Sequence, residues 1–115
     1  MCMKSLRSLI GKEVEVVIDR PLGSHHPKYT DMVYPVNYGY IKDIVAEDGE
    51  YQDAYVLSVD VPLKVFKGAV IAIIHRLNDV EDKLIVAPKG MKYSNQEIEE
   101  IVRFQEQYFE HVLIR

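Results

Sequence analysis

The sequence predicts a small, mainly β protein in which a barrel-like sheet is closed by one C-terminal helix. Three observations predict it. Short runs rich in β-branched and aromatic residues recur at roughly ten-residue spacing, separated by turn formers. The hydrophobic period changes to three and four only once, after Pro88. A chain of 115 residues suffices for one core of ordinary size and not for two, so 1–115 is expected to be a single domain.

Each element follows from its own residues. Glu13-Val14-Glu15-Val16 alternates and runs into Val17-Ile18-Asp19 between Gly11 and Pro21, which reads as a half-buried strand. Leu22 to Pro27, with Gly23, Ser24 and two histidines, reads as a loop. Tyr38 to Val45, Ala54 to Val59 and Ala69 to His75 are three more strands, separated by turns around Asp48-Gly49, Pro62 and Lys67-Gly68. Lys83 to Ala87 is a fifth, entered from the acidic turn Asn78 to Asp82. Ile98, Ile101, Val102, Gln105, Tyr108, Phe109 and Val112 then recur at helical spacing. Ser94 with Glu97 forms a capping box that fixes the helix start, because hydroxyl and carboxylate each satisfy a free backbone N–H.

Composition narrows the function. Apolar residues make up 48% and charged residues 28% of the chain, as in a soluble globular protein. A formal charge of -4, without a long Lys/Arg run, argues against nucleic acid as a partner. Cys2 is the single cysteine, which fits a reducing compartment, and the cytoplasm is the expected location. No apolar run approaches the roughly 20 residues of a spanning helix, and the N-terminal stretch lacks a signal-peptide core, so no membrane association is expected.

Four clusters carry candidate chemistry. In Asp48-Gly49-Glu50-Tyr51-Gln52-Asp53, three carboxylates surround a glycine turn at the head of a strand. A solvated hairpin turn accounts for them, and so does a hard cation that relieves their repulsion. Asn78-Asp79-Val80-Glu81-Asp82-Lys83 offers the same pair of readings, with Lys83 poised for a phosphate. Ser24-His25-His26-Pro27-Lys28-Tyr29 has donors for an anion but lacks zinc-site spacing. Tyr34-Pro35-Val36-Asn37-Tyr38-Gly39-Tyr40-Ile41 is unusually aromatic, as core packing or as a binding surface.

Taken together and in order, these segments resemble the soluble, metal-dependent inorganic pyrophosphatases. Val17-Ile18-Asp19-Arg20-Pro21 resembles the family's strand ending in an active-site Glu and a Pro, and Pro27-Lys28-Tyr29 its Lys-Tyr step. YPVNYGYI is similar to Tyr-Pro-x-Asn-Tyr-Gly-Tyr-Ile, DGEYQD to Asp-Gly-Asp-Pro-x-Asp, and Glu81 to Pro88 to the Asp-x-Lys-Leu strand. Tyr108-Phe109-Glu110-His111 resembles Phe-Phe-Glu-His.

The resemblance implies an α+β fold, a five-stranded mixed barrel of OB type with the C-terminal helix packed on it, and hydrolysis of pyrophosphate with Mg2+. Asp48, Asp53, Asp79, Glu81 and Asp82 would be metal ligands, with either Glu81 or Asp82 matching the family's Asp. Glu50 would accept the proton of the attacking water, and Asp19 would take the role of the family's Glu. Lys28, Tyr38 and Lys83 would hold phosphoryl oxygens, and Arg20 is a further substrate-binding candidate. A homo-oligomer assembled through the C-terminal region is also implied.

The chain departs from the pattern as well. Thr30 to Tyr34 is too short for the hairpin whose Arg grips the leaving phosphate. Val112 and Leu113 stand where the family has Tyr-Lys, Thr30 stands for a Glu, and Glu50 is one methylene longer than Asp. These losses suggest a leaving group other than free phosphate, or replacement charge from Arg20, His25, His26 and Lys42. A catalytically silent binding protein is the remaining alternative.

Overall fold

The computed structural model describes residues 6–46, 49–79 and 81–115. The elements are β1 (Glu13–Arg20), β2 (Asn37–Val45), β3 (Tyr51–Val56), β4 (Val65–Arg76), β5 (Asp82–Ala87), α1 (Asn95–Glu106) and β6 (His111–Ile114). The sheet runs β1-β2-β3-β5-β4-β6, and β1 also pairs with β4. That second pairing closes β1 to β5 into a five-stranded barrel. The β3–β5 pair is parallel and the others antiparallel, so the barrel is mixed, as expected from the resemblance.

Two apolar clusters explain the strand sequences. Val16, Ile18, Ile41, Ala54, Val56, Val70, Ile73, Leu84 and Val86 fill the barrel. Tyr38, Tyr55, Leu57, Ala72, Ile74, Ile85 and Ala87 face outward, under Ile98 and Val102 of α1. The strands under the helix are therefore buried on both faces, and β5 reads as an unbroken apolar run from Leu84 to Ala87 for that reason. A register shift between Val70 and Ala72 turns β4 by one residue, which sends Val70 inward and Ala72 outward.

Gly39 has no freedom to be another residue. A Cβ there would run into the Val17 carbonyl, because β1 lies directly over it with Ile18 opposite Gly39. Asn37 is also structural. Its Oδ1 accepts from the backbone N–H of Leu22 and of Leu63, both at 3.0 Å, and its Nδ2 donates to the Val61 carbonyl at 2.9 Å. One buried amide thus joins two loops to β2. The aromatic motif is core packing at Tyr34, Val36 and Ile41, a staple at Asn37 and a close approach at Gly39.

Two expectations are corrected. Lys67-Gly68 is not a turn but lies inside β4, where a Cβ on Gly68 would meet the Ala87 carbonyl. The helix does not continue to Val112. Its capping box at Ser94 and Glu97 is present, but it ends at Glu106, and His111 to Ile114 add a sixth strand to β4. Apolar spacing from Tyr108 to Leu113 mimics a helix, yet pairing with Ile73 to Arg76 satisfies the backbone in an extended form. Tertiary context overrides local periodicity here. Among the described residues, no helix is long and apolar enough to cross a membrane.

His111 fastens β6 to α1: its Nε2 lies 2.6 Å from Glu99 Oε1. Burial disfavours the imidazolium, but the Glu99 carboxylate and the Phe109 carbonyl outweigh burial and hold its pKa above the ordinary 6.5. A raised folded-state pKa gives stability that is complete below the unfolded value and is lost as pH rises through the folded one. Thermal melts of wild type and His111→Gln should therefore differ most at about pH 5.5 and converge by about pH 9. A constant difference across that range would refute the ion pair.

Candidate active site

The strand order brings the candidate residues into one belt across the barrel. Arg20 lies opposite Tyr38, Tyr40 opposite Asp53, and Asp82 opposite His75. Ala54 opposite Leu84 sets Asp53 and Lys83 one step further along neighbouring strands. Two clefts meet along this belt. The first, of about 320 Å³, is lined by Asp19, Glu50, Asp53, Glu81 and Asp82, with Tyr40 and Tyr51 stacked beside them at 5.5 Å. The second, of about 880 Å³, is lined by Arg20, Arg76 and Lys83 together with Tyr38, Asp53 and Glu81. Asp53 and Glu81 belong to both.

Lys83 stands at the junction with a nearly buried side chain. Its ammonium donates to Asp53 Oδ2 at 2.7 Å, Glu81 Oε2 at 2.7 Å and the Tyr38 hydroxyl at 2.8 Å. All three of its protons are engaged. Tyr38 in turn donates to Asp53 Oδ2 at 2.8 Å. Burial, together with the Asp53 charge, pushes the Tyr38 hydroxyl well above its usual pKa, so it remains a donor.

Asp19 reaches the first cleft from the end of β1. Partial burial raises its carboxyl pKa, Arg20 opposes that shift, and the Asp53 charge adds to it. Beside it, Arg20 Nη1 donates to the Tyr34 hydroxyl at 2.5 Å, and its guanidinium lies 5.6 Å from the ring centres of both Tyr34 and Tyr38.

Beneath the second cleft runs a hydrogen-bond chain that sequence reasoning missed. Tyr34 donates to Gln105 Oε1 at 2.9 Å, Gln105 Nε2 donates to the Tyr55 hydroxyl at 2.8 Å, and Tyr55 donates to Glu106 Oε2 at 2.6 Å. Glu106 is fully buried and receives Arg76 in a fork, Nε to Oε1 at 3.0 Å and Nη2 to Oε2 at 2.6 Å. Burial opposes the Glu106 charge, but the Arg76 and Tyr55 hydrogen bonds outweigh it and lower its pKa. Arg76 is correspondingly pushed up. One sequence signal existed: Glu106 falls four residues after Val102, on the apolar face of the helix, where a carboxylate implies a buried partner.

The remaining expectations divide. Asp19, Glu50, Asp53, Glu81, Asp82, Tyr38, Lys83 and Arg20 meet in the belt. Asp79 lines neither cleft and instead lies 3.4 Å from Arg76 Nη1. Lys28 also lines neither cleft: its loop is exposed, the backbone N–H groups of Lys28 and Tyr29 bond His26 Nδ1, and its ammonium lies over the Tyr29 ring at 5.4 Å. Of the suggested replacement charges, Arg20 and His26 line the second cleft, while His25 and Lys42 do not. Asp48 lies outside the described residues.

Residues 12–113 match the inorganic pyrophosphatase family model. The chain belongs to the inorganic pyrophosphatase family. It is 30% identical over 105 residues to the inorganic pyrophosphatase of Corynebacterium glutamicum, covering 87% of this chain and 63% of that protein. The Corynebacterium efficiens inorganic pyrophosphatase is 26% identical over 121 residues, covering 88% and 77%. The chain thus spans under two thirds of the length of the first of these relatives. Among solved structures, an inorganic pyrophosphatase from Neisseria gonorrhoeae superposes with a TM-score of 0.63 at 22% identity, covering 85% of this chain and 74% of that one. One from Helicobacter pylori gives 0.60 at 24%, covering 84% and 75%. These two likenesses support the shared fold.

The fit to a hard cation rests on donor chemistry. The first cleft offers five carboxylates and no thiol or imidazole, which suits Mg2+ rather than a soft metal. Burial first, and the Asp53 charge after it, raise the Asp19 pKa against Arg20 and Lys83, so a cation beside Asp19 would favour its charged form. No three described His, Cys, Asp or Glu residues converge as a ready-made ligand set.

Removing one partner of the Arg76–Glu106 pair should be costly, because the other charge stays buried. Glu106→Gln is expected to lower stability by about 3–5 kcal/mol, whereas Arg76→Met with Glu106→Gln should lose clearly less. Urea denaturation of both variants checks this. Equal losses would show that the pair acts through packing rather than charge.

Proposed function

We propose that this chain hydrolyses the phosphoanhydride of inorganic pyrophosphate with Mg2+ bound in the carboxylate cleft. The observation that carries the reading is the junction, at Asp53 and Glu81, of a cleft lined by five carboxylates with a second cleft that carries Arg20, Arg76 and Lys83. Family membership supports the same chemistry.

Asp53 and Asp82, with Asp48 and Asp19, would hold the ion. When bound, it supplies Lewis acidity and neutralises phosphate charge. Glu50, at the rim of the first cleft, would take the proton of the attacking water. Tyr38 donates from a hydroxyl kept protonated by burial. Lys83 and Arg20 would bind phosphoryl oxygens, and a phosphate reaching Lys83 competes with Asp53 and Glu81 for its protons. Lys28, whose ammonium lies over the ring of Tyr29, a residue of the second cleft, would be a further phosphoryl ligand.

The second cleft favours one further reading. At about 880 Å³ it has the size of a pocket for a drug-sized molecule, so a larger phosphorylated compound is the alternative substrate, as the missing hairpin Arg suggests. We also infer a single-domain, cytoplasmic protein and a homo-oligomer. The exposed Tyr108 and Val112, and the position of β6 at the sheet edge, support assembly through that region.

The test is phosphate release from magnesium pyrophosphate by purified protein, with nucleotides and sugar phosphates in parallel. Pyrophosphate should be hydrolysed, chelation of Mg2+ should abolish release, and Asp53→Ala should lower it by about a hundredfold or more. Release only from a larger compound would move the substrate, and silence on every compound would leave a phosphate-binding protein.

A further inference from the structure

Arg76 stands among carboxylates in the manner of a bound cation. Its Nη1 lies 3.4 Å from Asp79 Oδ2 and 3.5 Å from Glu81 Oε2, two of the groups for which the family resemblance implies a metal-binding role. It cannot readily swing away. Nε and Nη2 are forked onto the fully buried Glu106, the Phe109 ring covers Cζ at 3.7 Å, and only 3% of the side chain is exposed. A guanidinium also keeps its proton at any ordinary pH. This end of the acidic belt therefore holds a permanently protonated guanidinium, shared among Glu106, Asp79 and Glu81, and Lys83 adds a second cation on Glu81 at 2.7 Å. Two carboxylates that share a site need a cation between them, and here the chain itself provides one.

We propose that Arg76 takes the place of a metal ion at the Asp79–Glu81 end of the site, so that divalent cations bind only at the Asp19–Glu50–Asp53–Asp82 end. The inference rests on the reading that the carboxylate cleft takes a divalent cation. Arg76 then lines the second cleft beside Arg20 and Lys83, and its charge there does not depend on metal concentration.

Mn2+ binding distinguishes this from a site with metals at both ends, because it needs no turnover. Calorimetric titration, with free Mn2+ read by its paramagnetic resonance signal, would be run on wild type, Asp53→Asn, Asp79→Asn and Arg76→Gln/Glu106→Gln. The expected result is that Asp53→Asn weakens Mn2+ binding at least about tenfold, Asp79→Asn changes it less than about twofold, and the double variant binds one additional ion per chain. Weakening by Asp79→Asn as large as that by Asp53→Asn overturns the proposal, as does a folded double variant with no additional ion. If the double variant does not fold, the Asp79→Asn comparison decides alone. Wild type that binds no Mn2+ sinks the metal reading and this inference together, whereas the preceding outcomes leave the metal reading standing.

Discussion

The buried fork between Arg76 and Glu106 is the interaction on which the arrangement depends. It joins the last residue of β4 to the last turn of α1 and so fixes how the helix lies across the outer face of the barrel. Two charges removed from water are expensive unless every polar atom is matched. Both Glu106 oxygens are taken, one by Arg76 alone and the other by Arg76 and Tyr55 together. The chain onward through Gln105 and Tyr34 ends at Arg20. Helix packing and the basic wall of the second cleft are thereby set by one connected network, in which each hydroxyl accepts from one neighbour and donates to the next.

Residues on the strands meet in the belt, whereas the long loop reaches only the second cleft, through His26, Tyr29 and Asp31. Asp19, Tyr38, Asp53, Asp82 and Lys83 are held by ladders on one or both sides, so their side chains are fixed to the precision that chemistry on a small anion requires. Lys28 sits in a stretch whose hydrogen bonds are internal to the loop, and nothing draws its ammonium to the belt. The same reasoning explains Asp79. At the acidic turn just after β4, the nearest strong cation is Arg76, three residues back along the chain.

Much of the barrel was legible because period-two alternation and turn residues report directly on half-buried strands. Val16 and Ile18, or Tyr34, Val36 and Tyr38, could be assigned to a face by counting. The C-terminus was not legible. Tyr108, Phe109 and Val112 keep helical spacing, and only pairing with β4, together with the Arg76 stack on Phe109, makes the extended form the better one. Arg76 was missed for a related reason: a single arginine at a strand end has no local signature, and its meaning lies in Glu106, 30 residues away.

The carboxylates were legible, but their partners were not, and the partners decide what they can do. Asp53, Glu81 and Asp82 read from the sequence as one pool of metal ligands. In the structure Asp82 pairs with His75 at 2.7 Å, Asp53 with Lys83 at 2.7 Å, and Glu81 with both Lys83 and Arg76. Glu81 meets two cations, Lys83 and Arg76, whereas at Asp19 burial first and the Asp53 charge after it disfavour ionisation against Arg20 and Lys83. What such a carboxylate can do for a further cation depends on these partners rather than on the number of acidic letters. Glu81 belongs to both clefts, so the side chain that already has two cations stands where the carboxylates of one cleft meet Arg20, Arg76 and Lys83 of the other.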